Sequence, residues 1–254
     1  MKNYTKILSV FPLFLAMLYF SSTAYANNFE INIEQNGNSY DLKAPIKVPK
    51  QDILQDTDDS LIYKIDEMAI LTSDNGDSYS VDGIVDSRII TEEASSVTGI
   101  TDYQVDLSSA TKMEGDDEGM LGNLYSFFSN KVYADSNNTS SNEIWDSTIS
   151  VKLKMTVHWR KYDSGHMNIT KVTGGYTISD RTVSVTDSKV FVTQGQWSES
   201  QTRTYRPGTK SSWSYSTGLS KVANHGWTTP KSVEYTAYLK RNQSTWSVEL
   251  YSAL

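Results

Sequence analysis

The chain has 254 residues, no cysteine, 23 basic and 30 acidic residues, and a formal charge of −7. The missing cysteine excludes disulfides, thiolate metal sites, a cysteine nucleophile and lipidation of a mature N-terminal cysteine. A cysteine-free domain must hold itself together by its core alone, and no nucleic-acid partner is expected of it.

The N-terminus carries Lys2 and Lys6, then an apolar run over residues 7–20 broken by Ser9 and Pro12. Ala24-Tyr25-Ala26 follows and has the small-x-small form that a signal peptidase reads. The run is shorter than the roughly 20 residues of a spanning helix. Residues 1–26 are therefore predicted to be a cleavable secretion signal, with an N-terminal membrane anchor as the alternative. The mature protein is expected outside the cell. The C-terminus shows no apolar tail and no wall-sorting motif, so no anchoring is expected there.

The net charge hides a split. Residues 27–144 hold 23 acidic and 7 basic side chains, net −16, whereas residues 145–254 hold 7 acidic and 14 basic, net +7. All six tryptophans, at 145, 159, 197, 213, 227 and 246, fall in the second half. Such a step in charge and aromatic content predicts two modules. The polar stretch from Asp135 to Asn142 reads as part of a linker over 135–144. The organisation expected is an acidic module over 27–134, a candidate pro-region, and a basic, Trp-rich module over 145–254.

In the acidic module, Asn36-Gly37 lies between the alternating Ile31, Ile33 and Tyr40, Leu42. That pattern predicts a hairpin on a type I′ turn, whose central residues need positive φ. Asp74-Asn75-Gly76-Asp77 predicts a second hairpin, from Met68 and Leu71 into Tyr79, Val81 and Ile84. The acidic clusters Asp56/Asp58/Asp59 and Asp116/Asp117/Glu118 lack the ligand spacing of a calcium loop and read as solvated loops. Residues 119–133 predict one short helix, with Met120, Leu121, Leu124, Tyr125, Phe127, Phe128 and Val132 on one face. Its single lysine, Lys131, is too little for a membrane-surface helix.

The basic module is dominated by strand signals. Ile149, Val151, Leu153, Met155, Val157 and Trp159 share one parity; Lys152, Lys154, Thr156, His158 and Arg160 take the other. A period of two means one buried and one wet face. Val183/Val185, Val190/Val192, Trp213/Tyr215, Val233/Tyr235/Ala237/Leu239 and Trp246/Val248/Leu250 repeat the theme. Turn signals separate them at 163–165, 186–188, 207–208, 224–226 and 241–244. The fold class expected is mainly β: a C-terminal antiparallel β-sandwich or barrel preceded by a smaller acidic module with β-hairpins and one short helix.

Three stretches, residues 145–151, the sequence ITKVTGGYTISD at 169–180, and the closing hairpin of 239–250, resemble an uncharacterised group of secreted β proteins of Gram-positive bacteria. Those repeat an ITKVSGGWTISD-like signature. The resemblance covers about the last 110 residues. It implies a secreted β domain and carries over no activity and no functional residue.

The chemistry-bearing residues are sparse. His158, His166 and His225 stand in no zinc-binding spacing, and neither HExxH nor GxSxG occurs, so no metal and no cofactor are expected. Of the seven carboxylates after residue 144, Asp180 with Glu234 is the pair a glycosidase reading would use. Gly174-Gly175 precedes no helix and reads as a bulge or tight turn rather than a phosphate cradle. The candidate binding surface combines the wet face of one strand, Lys152, Lys154, His158 and Arg160, with Arg203, Tyr205, Arg206, Lys210, Trp213 and Trp227. Cations beside aromatics suit an anionic cell-wall polymer, a glycan or a membrane surface. The bland alternative is a solvated face whose lysines discourage edge pairing.

The reading favoured is a secreted, non-enzymatic protein that binds a cell-surface or envelope polymer. The alternatives are a secreted, bacteriocin-like toxin acting on membranes after loss of its acidic pro-region, and an extracellular hydrolase. Removal of the signal should leave a mature chain beginning at Asn27. N-terminal sequencing of the protein from culture supernatant checks this, and a chain still beginning at Met1 contradicts it.

Overall fold

The computed structural model describes residues 32–36, 39–45, 48–113, 151–195, 199–223 and 231–254. The segments expected to form the secretion signal, the helix of 119–133 and the linker of 135–144 lie outside them, as do His225 and Trp227. Strands make up 73% of the described residues, which settles the class as mainly β.

Fifteen strands follow in chain order: β1 (Asn32–Asn36), β2 (Ser39–Lys43), β3 (Ile53–Thr57), β4 (Ser60–Ser73), β5 (Ser78–Glu93), β6 (Ser96–Asp106), β7 (Thr111–Lys112), β8 (Val151–Tyr162), β9 (His166–Ile178), β10 (Ser184–Gln194), β11 (Gln201–Tyr205), β12 (Ser212–Ser216), β13 (Val222–Ala223), β14 (Lys231–Arg241) and β15 (Ser244–Ala253). β1 and β2 form a small sheet of their own; the other thirteen form a nearly closed antiparallel barrel. The path around it runs β11-β10-β14-β15-β4-β5-β6-β8-β9-β12.

The local signals become structure for the expected reasons. In β8 the odd positions Val151 to Trp159 are buried and the even ones point outward. The Asp74–Asp77 turn joins β4 to β5, with Gly76 at φ 93°. Ile84 leaves the parity of Tyr79 and Val81 and is exposed on the outer face. The first hairpin pairs Asn36 with Ser39, so Asn36 is the last ladder residue and not a turn residue. Thr186-Asp187-Ser188, expected as a turn, is a bulge inside β10: both sides of it stay paired with β14.

The acidic half does not stand apart as a separate sheet module. Its β4 pairs with β15, from Trp246↔Ser73 to Leu250↔Ala69, and its β6 pairs with β8 over eleven residue pairs from Ser96↔Tyr162 to Asp106↔Lys152. Three acidic-half strands, β4–β6, thus complete the wall that the basic half begins, and both halves share one core. A period-two strand carries no mark of which distant strand it pairs with.

Two tryptophans are seated over glycines of neighbouring strands. A methyl group on Gly99 would fall 2.2 Å from the Trp159 ring, and one on Gly174 would fall 2.6 Å from the Trp213 ring. Trp159 also donates its indole N–H to Thr101 Oγ1 at 3.1 Å.

The two ends of the path, β11 and β12, share no backbone ladder. Side chains close the gap. Gln201, Arg203 and Tyr205 alternate along β11 and all reach the backbone of 216–220. Tyr205 Oη donates to Ser216 O at 3.0 Å, Arg203 Nε to Thr217 O at 3.1 Å, and Gln201 Oε1 accepts from Ser220 N at 2.8 Å. Beneath them the buried Gln194 amide of β10 ties two backbone segments across the gap, β9 and the connection after β12: its Oε1 accepts from Ile169 N at 2.9 Å and its Nε2 donates to Ser220 O at 2.5 Å. Thr217 Oγ1 donates to Ile169 O. Replacing Gln194 by Leu keeps the volume but leaves the Ile169 N–H buried and unpaired. The expected loss is about 3 kcal/mol of unfolding free energy in a denaturant titration, against less than about 1 kcal/mol for the exposed-side Gln201→Ala.

Candidate functional site

Nine of the ten residues singled out from sequence are described, Trp227 lying outside the described residues, and they fall into two regions with different electrostatics. The first is the outer face of β8. Its neighbour β6 presents acids in register, so the cations there are neutralised. Lys152 Nζ lies 3.2 Å from Asp106, Lys154 Nζ 3.7 Å from Asp102, and Arg160 pairs with Glu93 while its Nε donates to Ser96 Oγ at 3.1 Å. Asp102 is shared further: Arg88 approaches it at 2.7 Å and Thr156 Oγ1 donates to it at 2.5 Å. Burial alone would raise the Asp106 pKa, but the Ser108 N–H and hydroxyl together with Lys152 outweigh it and hold the carboxyl below its usual range. Exposed pairs of this kind are each worth 0 to about 1 kcal/mol, so their main effect is on the surface potential.

His158, half-buried on the same strand, is held below its usual pKa by burial and then by Lys171 on β9, with Asp102 opposing. It stands between Ile100 on β6 and Lys171 in the ladder. His166 lies in the β8–β9 turn region, its ring against Ser164. The two described histidines are thus on a strand face and in a turn; no group of three metal-ligating side chains occurs among the described residues.

The second region is the seam. β11 and β12 flank the turn of 206–211, in which Gly208 takes φ 66° and Lys210 N donates to Pro207 O at 3.5 Å. The turn is tied to both sides of the gap, because Ser188 Oγ of β10 donates to Gly208 O and Tyr176 Oη of β9 to Thr209 O, each at 2.7 Å. The Tyr205 and Tyr215 rings stack across the gap at 4.4 Å with their planes 6° apart, and Trp213 continues the stack at 6.0 Å. Arg203, Arg206 and Lys210 are exposed around this aromatic floor, and among the described residues none has a carboxylate within ion-pair distance.

The structure therefore brings Arg203, Tyr205, Arg206 and Lys210 together and separates them from Lys152, Lys154 and Arg160 in electrostatic character. Trp213 is 6% exposed and packs inward, edge-on to Tyr235 at 5.1 Å, so it supports the seam from below. Tyr215 was missed from sequence as a site residue; no local signal marks its stacking on Tyr205, which is made across the gap.

The carboxylate pair of the hydrolase reading does not form. Asp180 caps Thr182 at the β9–β10 connection, near Arg241, while Glu234 lies six residues away from Lys240 along β14. Six strand residues span about 20 Å, beyond the separation of either glycosidase geometry. Glu234 instead accepts from Thr236 and faces Glu249, whose pKa is raised first by burial.

No family model matches the chain, no curated protein does, and no solved structure does.

A depressed His158 pKa favours the neutral ring in the folded state. Its stabilising contribution is present above the unfolded value near 6.5 and is lost as pH falls through that value towards the lower folded one. Acidification from about pH 7 to 5 should lower stability, and His158→Gln should remove a part of that slope worth under about 1 kcal/mol. Thermal melts of both proteins across the range check it.

Proposed function

We propose that the protein is a secreted, non-enzymatic module that binds an anionic envelope polymer through the seam hairpin. Arg203, Arg206 and Lys210 supply the charge, and the Tyr205–Tyr215 stack forms the floor between them. The observation that carries this reading is the contrast between the two basic regions. Lys152, Lys154 and Arg160 of β8 pair with acids of β5 and β6, whereas the seam cations face solvent without acidic partners among the described residues. Unpaired cations held by a fixed turn raise the local concentration of a polyanion; neutralised ones do not. The Arg203 guanidinium is further oriented by Thr217 O at 3.1 Å and Thr202 O at 2.8 Å, which lowers the entropy lost on binding.

The membrane-acting alternative gains less support. The outer wall of the barrel carries Asp86, Arg88, Asp102 and Lys154 within its strands. A lipid-facing band would lose about 2–4 kcal/mol for each Arg or Lys near its midplane. The hydrolase alternative loses its candidate carboxylate pair to distance.

Binding of the full chain to immobilised polyphosphate across a sodium chloride series tests the reading. Arg206→Glu with Lys210→Glu should weaken binding by about tenfold or more and flatten its salt dependence. Lys152→Gln with Lys154→Gln should change it less than about twofold. Absence of binding by the unaltered protein, or the opposite ranking of the two variants, rejects it.

A further inference from the structure

The seam cations have a neighbour of a different kind on the outer face of the wall. β14 buries Val233, Tyr235, Ala237 and Leu239, so Glu234 and Tyr238 stand on the opposite, outer face. Tyr238 is 40% exposed, and no other aromatic ring among the described residues is as open to solvent. The ladder sets it opposite Asp187 of β10. The next residue, Ser188, donates to Gly208 O and so holds the seam turn against the same stretch of β10. Arg206 continues the parity of Thr202 and Thr204, which pair with Thr193 and Phe191 of β10.

Charge divides this face into two parts. The part around Tyr238 is acidic: its hydroxyl is pushed up first by burial and then by Glu249, Asp187 and Glu234, with Arg206 opposing them. Glu249 lies on β15 opposite Thr236, and Glu234 lies one pleat further, opposite Tyr251. Lys189, on the strand between the two parts, stands over the Phe191 ring at 5.7 Å and offsets Glu249. The other part is the seam turn, where Arg206 and Lys210 have no carboxylate at ion-pair distance among the described residues. The two parts are two strand spacings apart, about 10 Å.

A uniform polyanion can use only the cationic part, because the acids around Tyr238 repel it. A neutral, hydroxyl-rich unit suits the acidic part. An ionised carboxylate only accepts hydrogen bonds and a hydroxyl donates them, while the open tyrosine ring covers the apolar side of a sugar. We propose that the polymer held at the seam is a polysaccharide in which an acidic group alternates with a neutral sugar. The acidic group sits on Arg206 and Lys210 and the neutral ring on Tyr238. This rests on the seam reading and names the ligand class for that same site: alternation, and not total charge, is what the face selects.

Binding of the full chain to hyaluronan oligosaccharides, in which a uronate alternates with a neutral N-acetylated sugar, tests this against polyphosphate of equal charge and uncharged dextran. Hyaluronan should bind tightest. Tyr238→Ala should weaken hyaluronan about tenfold and change polyphosphate less than about twofold, which also shows that the variant is folded. Tyr238→Phe keeps the ring and should retain most of the affinity. Arg206→Glu with Lys210→Glu should weaken both polyanions. Polyphosphate binding that is lost in this charge variant, with hyaluronan bound no tighter or untouched by Tyr238→Ala, overturns the inference and leaves the seam reading standing. Dextran bound as tightly as hyaluronan also overturns it. Absence of binding to either polyanion overturns both.

Discussion

A sheet that curls round to meet itself must join its first and last strands, and here those strands form no ladder. The rest of the structure depends on how that join is made. β11 and β12 sit on either side of their own short turn, and alternate side chains of one reach the backbone of the other. Gln194 of β10 reaches across the join and satisfies two backbone groups on its far side at once. Side chains can be exchanged by mutation where a backbone ladder cannot. The join is therefore the part of the wall whose strength and surface chemistry are set by sequence. The turn, the tyrosine stack and the exposed cations are all consequences of this one device.

Much of the wall was legible in the sequence. β8, β14 and β15 alternate strictly, so their buried faces follow from parity, and the turns at Gly76, Gly165, Gly208 and Asn242 stand at positive φ where their residue types allow it. What could not be read was which strand lies beside which. Ala69 and Leu250 are neighbours across a ladder, yet nothing local to either says so. The step from −16 to +7 brings complementary charges onto adjoining strands, with Asp102 and Asp106 beside the lysines of β8.

The candidate surface was legible in part. Composition found the cations but could not tell neutralised from unneutralised ones, because that depends on strand neighbours. Trp213 shares the parity of Tyr215 but is swallowed by the core, since the row it belongs to faces Gly174, where no side chain holds it off. Thr186-Asp187-Ser188 has turn composition, but pairing to β14 on both sides converts the surplus residue into a bulge.

The position of β15 between β14 and β4 also governs the order in which the wall can be built. Its partner on one side is the adjacent hairpin strand; its partner on the other is about 180 residues earlier in the chain. The ten residues of β15 are thus the keystone. Until they arrive, β4 and β14 each present an unpaired edge, and the central ladder cannot be completed. Such a topology folds slowly for its size, because distant pairing must be reached before it is rewarded. It also makes the wall all-or-none with respect to β15: a chain lacking residues 244–253 would keep most of its hairpins and have no continuous wall, with two open edges free to pair with other copies.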